Sequence, residues 1–330
     1  MLVFRFFPLY SLAGVIICHF PSKVHLINTV AMALDMSKWS NGVDRRSAIA
    51  GSGITLLSSV TSLPPSASFA AEDNNEKYAY PSLTVVEDPE TYSALSYAPP
   101  NNANNANTPL ILVLHGAGKN DREILQDLAN PFGEHAGLIP ALIASDTAPS
   151  NLLENFCVLA PYSFGKPSFY NDPRRNLLQF VDWAIQNQNS NVLPLRFDPR
   201  RIILFGFSDG ATVAVELLTT KRFAAGVICS YGYSGKALPS QALDRLRNIP
   251  IWVFHSRDDV IFDVQNSDRL VQQLENANDI KTGNVGASII KYSRYNNDPE
   301  NLPSRVRGHS MGITASKTSE LYDWMMSQVN

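Results

Sequence analysis

Residues 202–212 read Ile-Ile-Leu-Phe-Gly-Phe-Ser-Asp-Gly-Ala-Thr, and this stretch decides the fold. Its first four residues are all apolar, which is typical of a parallel strand covered on both faces of a sheet. Gly206 and Gly210 stand two residues before and two residues after Ser208, where larger side chains would clash in a tight turn. The stretch therefore predicts a strand, a sharp turn and a helix, with the Ser208 hydroxyl at the positive end of that helix.

The alternation of apolar runs and amphipathic stretches continues along the chain from about residue 80. Because parallel strands joined by helices form right-handed crossovers, it predicts a doubly wound, mostly parallel sheet of about eight strands with helices on both faces. The short connection between Cys229 and Ile251 predicts a small lid or none. The predicted strands are Leu83–Val86, Tyr92–Tyr97, Leu110–Leu114, Phe156–Leu159, Ile202–Phe205, Ala225–Cys229, Ile251–Phe254 and Ser288–Tyr292. The predicted helices are Asp121–Leu128, Asn176–Gln186, Asp209–Thr219, Ser267–Asn276 and Lys317–Gln328.

The composition indicates a globular chain with a sizeable core and excludes several classes of protein. Of 330 residues, 45% are apolar and 17% are charged, with 27 Lys and Arg against 30 Asp and Glu. This near balance of charge gives no support for a nucleic-acid partner. The three Cys include no Cys-x-x-Cys pair, so we expect neither a disulfide framework nor a metal site. Cys157 and Cys229 lie within apolar runs and are expected to be small core side chains.

The first 70 residues have the features of targeting segments. Residues 1–20 contain a short apolar run that suits a signal-peptide core better than a membrane span, which needs about 20 residues. Residues 45–70 begin with Arg45-Arg46 and end in Ser-Ala-Ser-Phe-Ala, which resembles a twin-arginine export signal. We expect a presequence over residues 1–70, a mature domain over residues 71–330 without a stable membrane span, and a location in the thylakoid lumen of a plastid. The alternative is a secreted protein with an ordinary signal.

A serine in such a turn becomes a nucleophile when a general base and an orienting acid accompany it. In enzymes with this turn, the acid lies between the serine and the histidine along the chain. Only His255 and His309 follow Ser208, and His255 precedes the acidic turn, so His309 is the candidate base. The candidate acids are Asp258 and Asp259, which the residue types alone do not separate.

A second glycine-containing turn, His-Gly-Ala-Gly at residues 115–118, follows the predicted strand Leu110–Leu114. Small residues there let backbone N–H groups approach a developing oxyanion. The expected donors are the N–H of Ala117 and the N–H of Asp209, the residue after the serine. The alternative is a tight turn without a ligand. The residues expected to support the two turns are His115, Gly116, Gly118, Gly206 and Gly210.

Five segments of the chain match one known group of enzymes in the same order. They are Leu-Ile-Leu-Val-Leu-His-Gly-Ala-Gly (110–118), Gly-Phe-Ser-Asp-Gly-Ala (206–211), Ile-Trp-Val-Phe-His-Ser-Arg-Asp-Asp (251–259), Gly-His-Ser (308–310) and Leu-Tyr-Asp-Trp (321–324). With these segments the chain resembles the α/β-hydrolases of the small esterase type, close to the phospholipase/carboxylesterase and predicted-peptidase group. The resemblance implies an α/β-hydrolase fold and cleavage of an ester or thioester through an acyl-enzyme on Ser208, without a metal or organic cofactor.

The resemblance also separates the two candidate acids. The group has its acid four residues after the histidine that ends the strand, and counting from His255 arrives at Asp259. Asp258 is then expected to face solvent or to cap the turn. Two residues depart from the pattern, Ser256 where relatives usually have Gly and Asp263 where they often have Pro. Neither departure removes a catalytic group.

The sequence says less about the substrate, for which we expect a small-molecule ester or thioester. Aromatic residues after strand ends, which line the cleft or simply pack, are Tyr162, Phe164, Tyr231 and Tyr233. Basic residues before the candidate base, which favour an anionic substrate or belong to a solvated loop, are Arg294, Arg305 and Arg307. Two other functions stay open: an acyltransferase or peptidase with the same three residues, and a binding protein without catalysis on the same scaffold.

Overall fold

A computed structural model describes residues 82–100, 102–118, 125–133, 135–163, 168–232, 237–282, 289–300 and 302–329. The two targeting segments predicted over residues 1–20 and 45–70 lie outside the described residues, as do Phe164 and Tyr233.

A sheet of eight strands forms the centre of the described part of the chain. The strands are β1 (Thr84–Glu87), β2 (Ser93–Tyr97), β3 (Leu110–Leu114), β4 (Cys157–Pro161), β5 (Ile202–Phe207), β6 (Ala225–Cys229), β7 (Ile251–Ser256) and β8 (Ile290–Tyr295). Across the sheet they lie in the order β1-β2-β4-β3-β5-β6-β7-β8. Strand β2 pairs antiparallel with β1 and β4, and the other neighbours are parallel. The predicted mostly parallel sheet is confirmed.

Helices cover both faces of this sheet, as predicted. The described α-helices are α1 (Ile139–Ala144), α2 (Ser150–Asn155), α3 (Arg174–Asn187), α4 (Asp209–Leu218), α5 (Ser240–Leu246), α6 (Gln265–Thr282), α7 (Met311–Lys317) and α8 (Ser319–Gln328). None of these helices is both long and apolar enough to cross a membrane. The chain between β6 and β7 carries the short helix α5.

Two buried clusters explain why the middle strands are apolar at every position. In β3, Leu110, Leu112 and Leu114 join one cluster with side chains of α3, α4 and α6. Ile111 and Val113 of the same strand join the other cluster with side chains of α1, α2, α7 and α8. Successive side chains of a strand point to opposite faces, so each strand residue enters one core or the other. Burial of such a side chain contributes about 1.5–3 kcal/mol.

The strand predictions agree with the structure within two residues, except at β8. The prediction ended at Tyr292, whereas β8 continues to Tyr295. Strand β8 lies at the edge of the sheet, where it has a neighbouring strand on one side only, so it tolerates the exposed charges of Lys291 and Arg294. The Lys291 ammonium lies 3.3 Å above the centre of the Trp252 ring, which covers that ring with a cation.

The helix predicted over Lys317–Gln328 agrees with α8 within two residues, and Thr318 before α8 has an extended backbone with φ −81° and ψ 106°. Two helix predictions are wrong in extent. The helix predicted over Ser267–Asn276 is α6, which begins at Gln265 and ends at Thr282, six residues later than predicted. The helix predicted over Asp121–Leu128 appears, within the described residues, only as a 3₁₀ turn over Leu125–Leu128. Helices α1, α2, α5 and α7 were not predicted. Each has six or seven residues, too few to show a helical period in the sequence.

The two described cysteines are core side chains, as predicted. Cys157 in β4 and Cys229 in β6 are free thiols with no exposed surface. Burial raises the pKa of the Cys157 thiol to about 12 and raises that of Cys229 as well. Because the thiolate is the reactive form, neither group is a nucleophile in this environment.

Candidate active site

Ser208 lies in the sharp turn between β5 and α4. Its backbone has φ 56° and ψ −122°, a conformation that costs a non-glycine residue about 1–3 kcal/mol. The Ser208 N–H donates to the carbonyl of Cys229 at 2.9 Å, which ties the turn to the neighbouring strand β6. The predicted strand, turn and helix are therefore present, with Ser208 immediately before the first residue of α4.

The two glycines of this turn are required by close backbone contacts. A Cβ atom on Gly206 would lie 2.6 Å from the carbonyl oxygen of Gly210 and 2.7 Å from the Cα of Ala211. A Cβ atom on Gly210 would lie 2.2 Å from the carbonyl oxygen of Leu114. Real Cβ contacts of this length do not occur, so the spacing Gly-x-Ser-x-Gly follows from sterics.

The structure brings Ser208, His309 and Asp259 into one chain of hydrogen bonds. His309 Nε2 lies 2.9 Å from Ser208 Oγ, and His309 Nδ1 lies 2.8 Å from Asp259 Oδ2. Asp259 as a carboxylate only accepts, so Nδ1 carries the proton, and in the neutral ring Nε2 accepts from the Ser208 hydroxyl. The side chain of His309 is 10% exposed and that of Asp259 is fully covered. Solvent thus reaches the imidazole and does not reach the acid.

The turn that carries His309 is fixed by contacts from outside the turn. Gly308 has φ 78°, and a Cβ atom there would lie 2.2 Å from the Asp259 nitrogen. The carboxylate of Asp298 accepts from the N–H of Ser310 at 3.0 Å and from the Ser310 hydroxyl. The backbone N–H of Val260 donates to the carbonyl of Arg307 at 3.0 Å. The residues before and after His309 are therefore both held in place by contacts with other segments.

Two phenylalanine rings flank the imidazole. Phe207 lies with its ring centre 5.4 Å from that of His309, and Phe262 meets the imidazole edge-on at 5.2 Å. Phe262 packs where Gly232 leaves room, since a Cβ atom on that glycine would lie 2.1 Å from the ring. Aromatic rings at these distances pack against the imidazole and cover part of its surface.

Asp259 accepts hydrogen bonds at both of its carboxylate oxygens. Oδ1 accepts from the backbone N–H of Ile261 at 2.8 Å and of Phe262 at 2.9 Å. Oδ2 faces the imidazoles of His309 and His255, at 2.8 Å and 3.2 Å. Burial alone would raise the pKa of Asp259, but the hydrogen bonds from His255 and His309 outweigh it and lower the pKa to about 2.

The sequence predicts that Asp258 faces solvent or caps the turn, but in the structure its carboxylate also binds groups in other segments. Its Oδ1 accepts from the Ser256 hydroxyl at 2.5 Å and from the backbone N–H of Asp298 at 3.0 Å. Its Oδ2 lies 3.9 Å from Arg307 Nε, and its side chain is 22% exposed. Asp258 therefore holds the loop of Asp298, which in turn holds the residue after His309.

The turn at residues 115–118 lies against the serine. A Cβ atom on Gly116 would lie 2.9 Å from Ser208 Cβ, so the backbone of Gly116 approaches the Ser208 side chain closely. His115 is buried, donates from Nδ1 to the carbonyl of Gly116 at 2.7 Å and accepts at Nε2 from the Ser163 N–H at 3.2 Å. Burial and the neighbouring His135 keep the pKa of His115 well below its usual range. The ring is therefore neutral, and its hydrogen bonds join this turn to Ser163.

The candidate substrate residues are mostly engaged in other contacts. Tyr162 and Tyr231 are buried, with 1% and 3% of their surface exposed, and Tyr162 packs against His115. Arg294 forms an ion pair with Asp268 at 2.9 Å. Packing and local pairing account for these side chains without a ligand.

Sequence reasoning missed four side chains that shape this site: His255, Phe262, Phe207 and Asp298. His255 was excluded as a base by its position in the chain, but that position also puts it four residues from Asp259, within reach of the carboxylate. Asp298 has no detectable signal, because it reaches Ser310 only through the folded loop.

Comparisons with known proteins report the same architecture. A family model described as phospholipase/carboxylesterase matches residues 170–291. A thermostable esterase of known structure has a TM-score of 0.54 at 20% identity, over 74% of this chain and 62% of the esterase. The matched region thus spans less than two thirds of that esterase. No curated protein matched the chain.

Two further solved structures have lower scores. An α/β-hydrolase enzyme from a Medee basin deep-sea metagenome library has a TM-score of 0.47 at 14% identity, over 75% of this chain and 97% of its own. A sugar hydrolase from Lactococcus lactis has a TM-score of 0.48 at 14% identity, over 75% of this chain and 98% of its own.

Proposed function

We propose that this chain, which has the fold of the α/β-hydrolases, is a serine hydrolase that cleaves carboxylic esters or thioesters through an acyl-enzyme. The match of residues 170–291 to the phospholipase/carboxylesterase model supports a hydrolase of the ester type. The observation that carries the proposal is the continuous hydrogen-bond chain from Ser208 through His309 to Asp259.

In the first half of the reaction, Ser208 Oγ attacks the carbonyl carbon of the substrate while His309 Nε2 takes the hydroxyl proton. The carbonyl oxygen becomes an oxyanion, for which the N–H groups of Asp209 and Ala117 are the proposed donors. The bond to the leaving group then breaks, and His309 returns its proton to the departing alcohol or thiol. The product of this half is an acyl ester on Ser208.

In the second half, a water molecule takes the place of the leaving group. His309 Nε2 accepts one proton from the water as its oxygen attacks the acyl carbon. The bond between the acyl carbon and Ser208 Oγ then breaks, His309 gives the proton to Oγ, and the acyl group leaves as the carboxylic acid. Asp259 holds the imidazole in the required tautomer and stabilises the imidazolium. It stays ionised throughout, because its pKa is lowered to about 2.

The proposal is tested with a fluorophosphonate probe followed by a panel of esters and thioesters. We expect a covalent label on Ser208 and no label in Ser208→Ala, which should lose on the order of 10⁶ in kcat. Ser327→Ala, a change at an exposed serine, is the matched control and should label like the unchanged protein. A label on another residue, or full activity in Ser208→Ala, would contradict the proposal.

The same experiment separates the two other candidate functions. An added alcohol, thiol or amine that captures the acyl group faster than water indicates an acyltransferase, and cleavage of amide substrates indicates a peptidase. A folded protein that takes no label indicates a binding protein without catalysis.

We further propose that residues 1–70 direct the protein to the thylakoid lumen of a plastid, with secretion as the alternative. A fluorescent fusion of residues 1–70 should enter a plastid. Replacing Arg45-Arg46 by Lys-Lys should block only the second step and leave the fusion in the stroma. An intact fusion in the secretory pathway would contradict this location and leave the proposed chemistry untouched.

A further inference from the structure

His255 is a fully buried histidine that the reaction described above does not use. Its ring nitrogens face three different groups. Nδ1 lies 2.7 Å from Ser267 Oγ, while Nε2 lies 3.0 Å from the carbonyl oxygen of Phe262 and 3.2 Å from Asp259 Oδ2. A side chain with no exposed surface and partners at both nitrogens is held in one orientation. Its contact with Asp259 is therefore a fixed part of the site.

The partners of His255 determine where its proton lies. Nε2 faces a carboxylate and a carbonyl oxygen, both of which only accept, so Nε2 must carry the hydrogen. In the neutral ring Nδ1 is then an acceptor, and the buried hydroxyl of Ser267 donates to it. Ser267 thus fixes the tautomer that directs an N–H group at Asp259.

This donation completes the set of bonds around the Asp259 carboxylate. Oδ1 is held by two backbone N–H groups, those of Ile261 and Phe262. Among the residues that the structure describes, His309 alone would hold Oδ2 if His255 were absent, and His309 is the residue that Asp259 has to orient. An orienting group needs support that does not come from the group that it orients, and His255 supplies it.

We propose that His255 is a positioning residue of this site, which donates from Nε2 to Asp259 Oδ2 and so holds that oxygen in line with Nδ1 of His309. The proposal rests on the proposed function, since it takes the role of Asp259 from there. It also has an electrostatic consequence. The hydrogen bond draws charge from Oδ2, so His255 moderates how strongly the carboxylate attracts the imidazolium that forms during the reaction.

The charged and titratable groups around the His255 ring are few. Asp259 is on its own loop and His309 lies beyond that carboxylate. From helix α6, Asp268 contributes a negative charge, which is paired with Arg294 of β8. Loss of the His255 N–H makes Asp259 more basic, and a more basic carboxylate holds the proton on His309 more tightly. The acid limb of the pH profile of kcat/KM should therefore move to higher pH.

Two amide variants separate positioning from a merely structural role. In His255→Gln, the amide nitrogen can occupy the position of Nε2 and still donate to Asp259. In His255→Asn, the shorter amide matches the position of Nδ1, so it reaches Ser267 and does not reach Asp259. The readouts are the rate of fluorophosphonate labelling of Ser208 and the pH profile of ester hydrolysis.

We expect His255→Asn to label about 10- to 100-fold more slowly, with its acid limb at higher pH, and His255→Gln to stay within about threefold of the unchanged protein. Phe254→Leu is the control for lost packing. Phe254 is as buried as His255, but its side chain points to the opposite face of the sheet and belongs to another buried cluster. The substitution should lower the melting temperature and leave the acid limb in place. If His255→Asn does not fold, His255→Leu replaces it, since leucine brings no polar group of its own that would be buried without a partner.

The outcomes distinguish this inference from the proposed function. If the unchanged protein takes no label on Ser208, the proposed function fails. If it takes the label, and the Asn and Gln variants label at equal rates with unmoved acid limbs, the positioning role of His255 alone is overturned. Slow labelling restored in His255→Gln supports it.

Discussion

The turn that carries Ser208 and the turn that carries His309 are held by different forces. Backbone contacts hold the first, because Gly206 and Gly210 let the chain approach itself and the carbonyl of Leu114. The second turn has one such contact, at Gly308, and is held in addition by hydrogen bonds to the carboxylates of Asp259 and Asp298. The difference teaches that a substitution at either glycine of the first turn should act on folding, whereas a substitution at a carboxylate around the second should act on the orientation of the imidazole.

Among the changes around the second turn, removing the charge of Asp259 should lower kcat the most. Asp259→Asn keeps the shape of the side chain and loses the charge that fixes the His309 tautomer and stabilises the imidazolium, which costs about 10⁴ in kcat. Steady-state kinetics on a good ester substrate measures this loss, and circular dichroism should show an unchanged fold. A loss of less than tenfold would mean that Asp259 does not orient the base.

Acidification should impair the proton transfer from Ser208 to His309 without any substitution. Protonated Nε2 of His309 cannot accept the Ser208 proton, so kcat/KM should fall as the pH is lowered, by up to about tenfold per pH unit. Asp259 does not contribute to this fall. Its lowered pKa favours the folded state above the ordinary Asp range, and that contribution is lost only as the pH falls toward about 2. A flat rate from pH 5 to pH 8 would contradict the role of His309.

A methyl group in the first turn should act on stability. The Cβ of Gly210→Ala would meet the backbone carbonyl of Leu114 at 2.2 Å, and overpacking of this kind costs about 1–3 kcal/mol or more of the free energy of unfolding. Gly133→Ala is the matched control, because its Cβ would meet only the Asn130 side chain, at 3.2 Å or more. The midpoint of urea denaturation should therefore be well below that of Gly133→Ala in the Gly210→Ala variant. Equal midpoints would show that the first turn yields easily.

Asp258→Asn should have the smallest effect. An amide at this position still accepts from the Ser256 hydroxyl and from the backbone of Asp298, so the loop that supports Ser310 should remain in place. We expect less than about tenfold loss in kcat, measured beside Asp259→Asn on the same substrate. If Asp258→Asn loses more than Asp259→Asn, the two carboxylates have exchanged roles.

Much of the fold was predictable because the middle strands are buried on both faces. Strands β3 and β6 were predicted at their observed ends, since every residue of each enters one of the two cores. Prediction failed where burial is one-sided or the element is short. The edge strand β8 carries exposed charges, and α7 has only seven residues.

The sequence by itself determined the turn around Ser208, since the clashes that require Gly206 and Gly210 arise within a few residues of chain and against the preceding strand. It also left His309 as the one candidate for the general base, because only His255 and His309 follow the serine and His255 precedes the acidic turn. The tertiary structure decided what supports these groups. His255 donates to Asp259 within the folded end of β7 and the turn that follows it, and Asp298 reaches Ser310 only after the loops beyond β7 and β8 have packed side by side. Hydrogen bonds between side chains depend on distances in the folded chain, which spacing along the sequence does not specify.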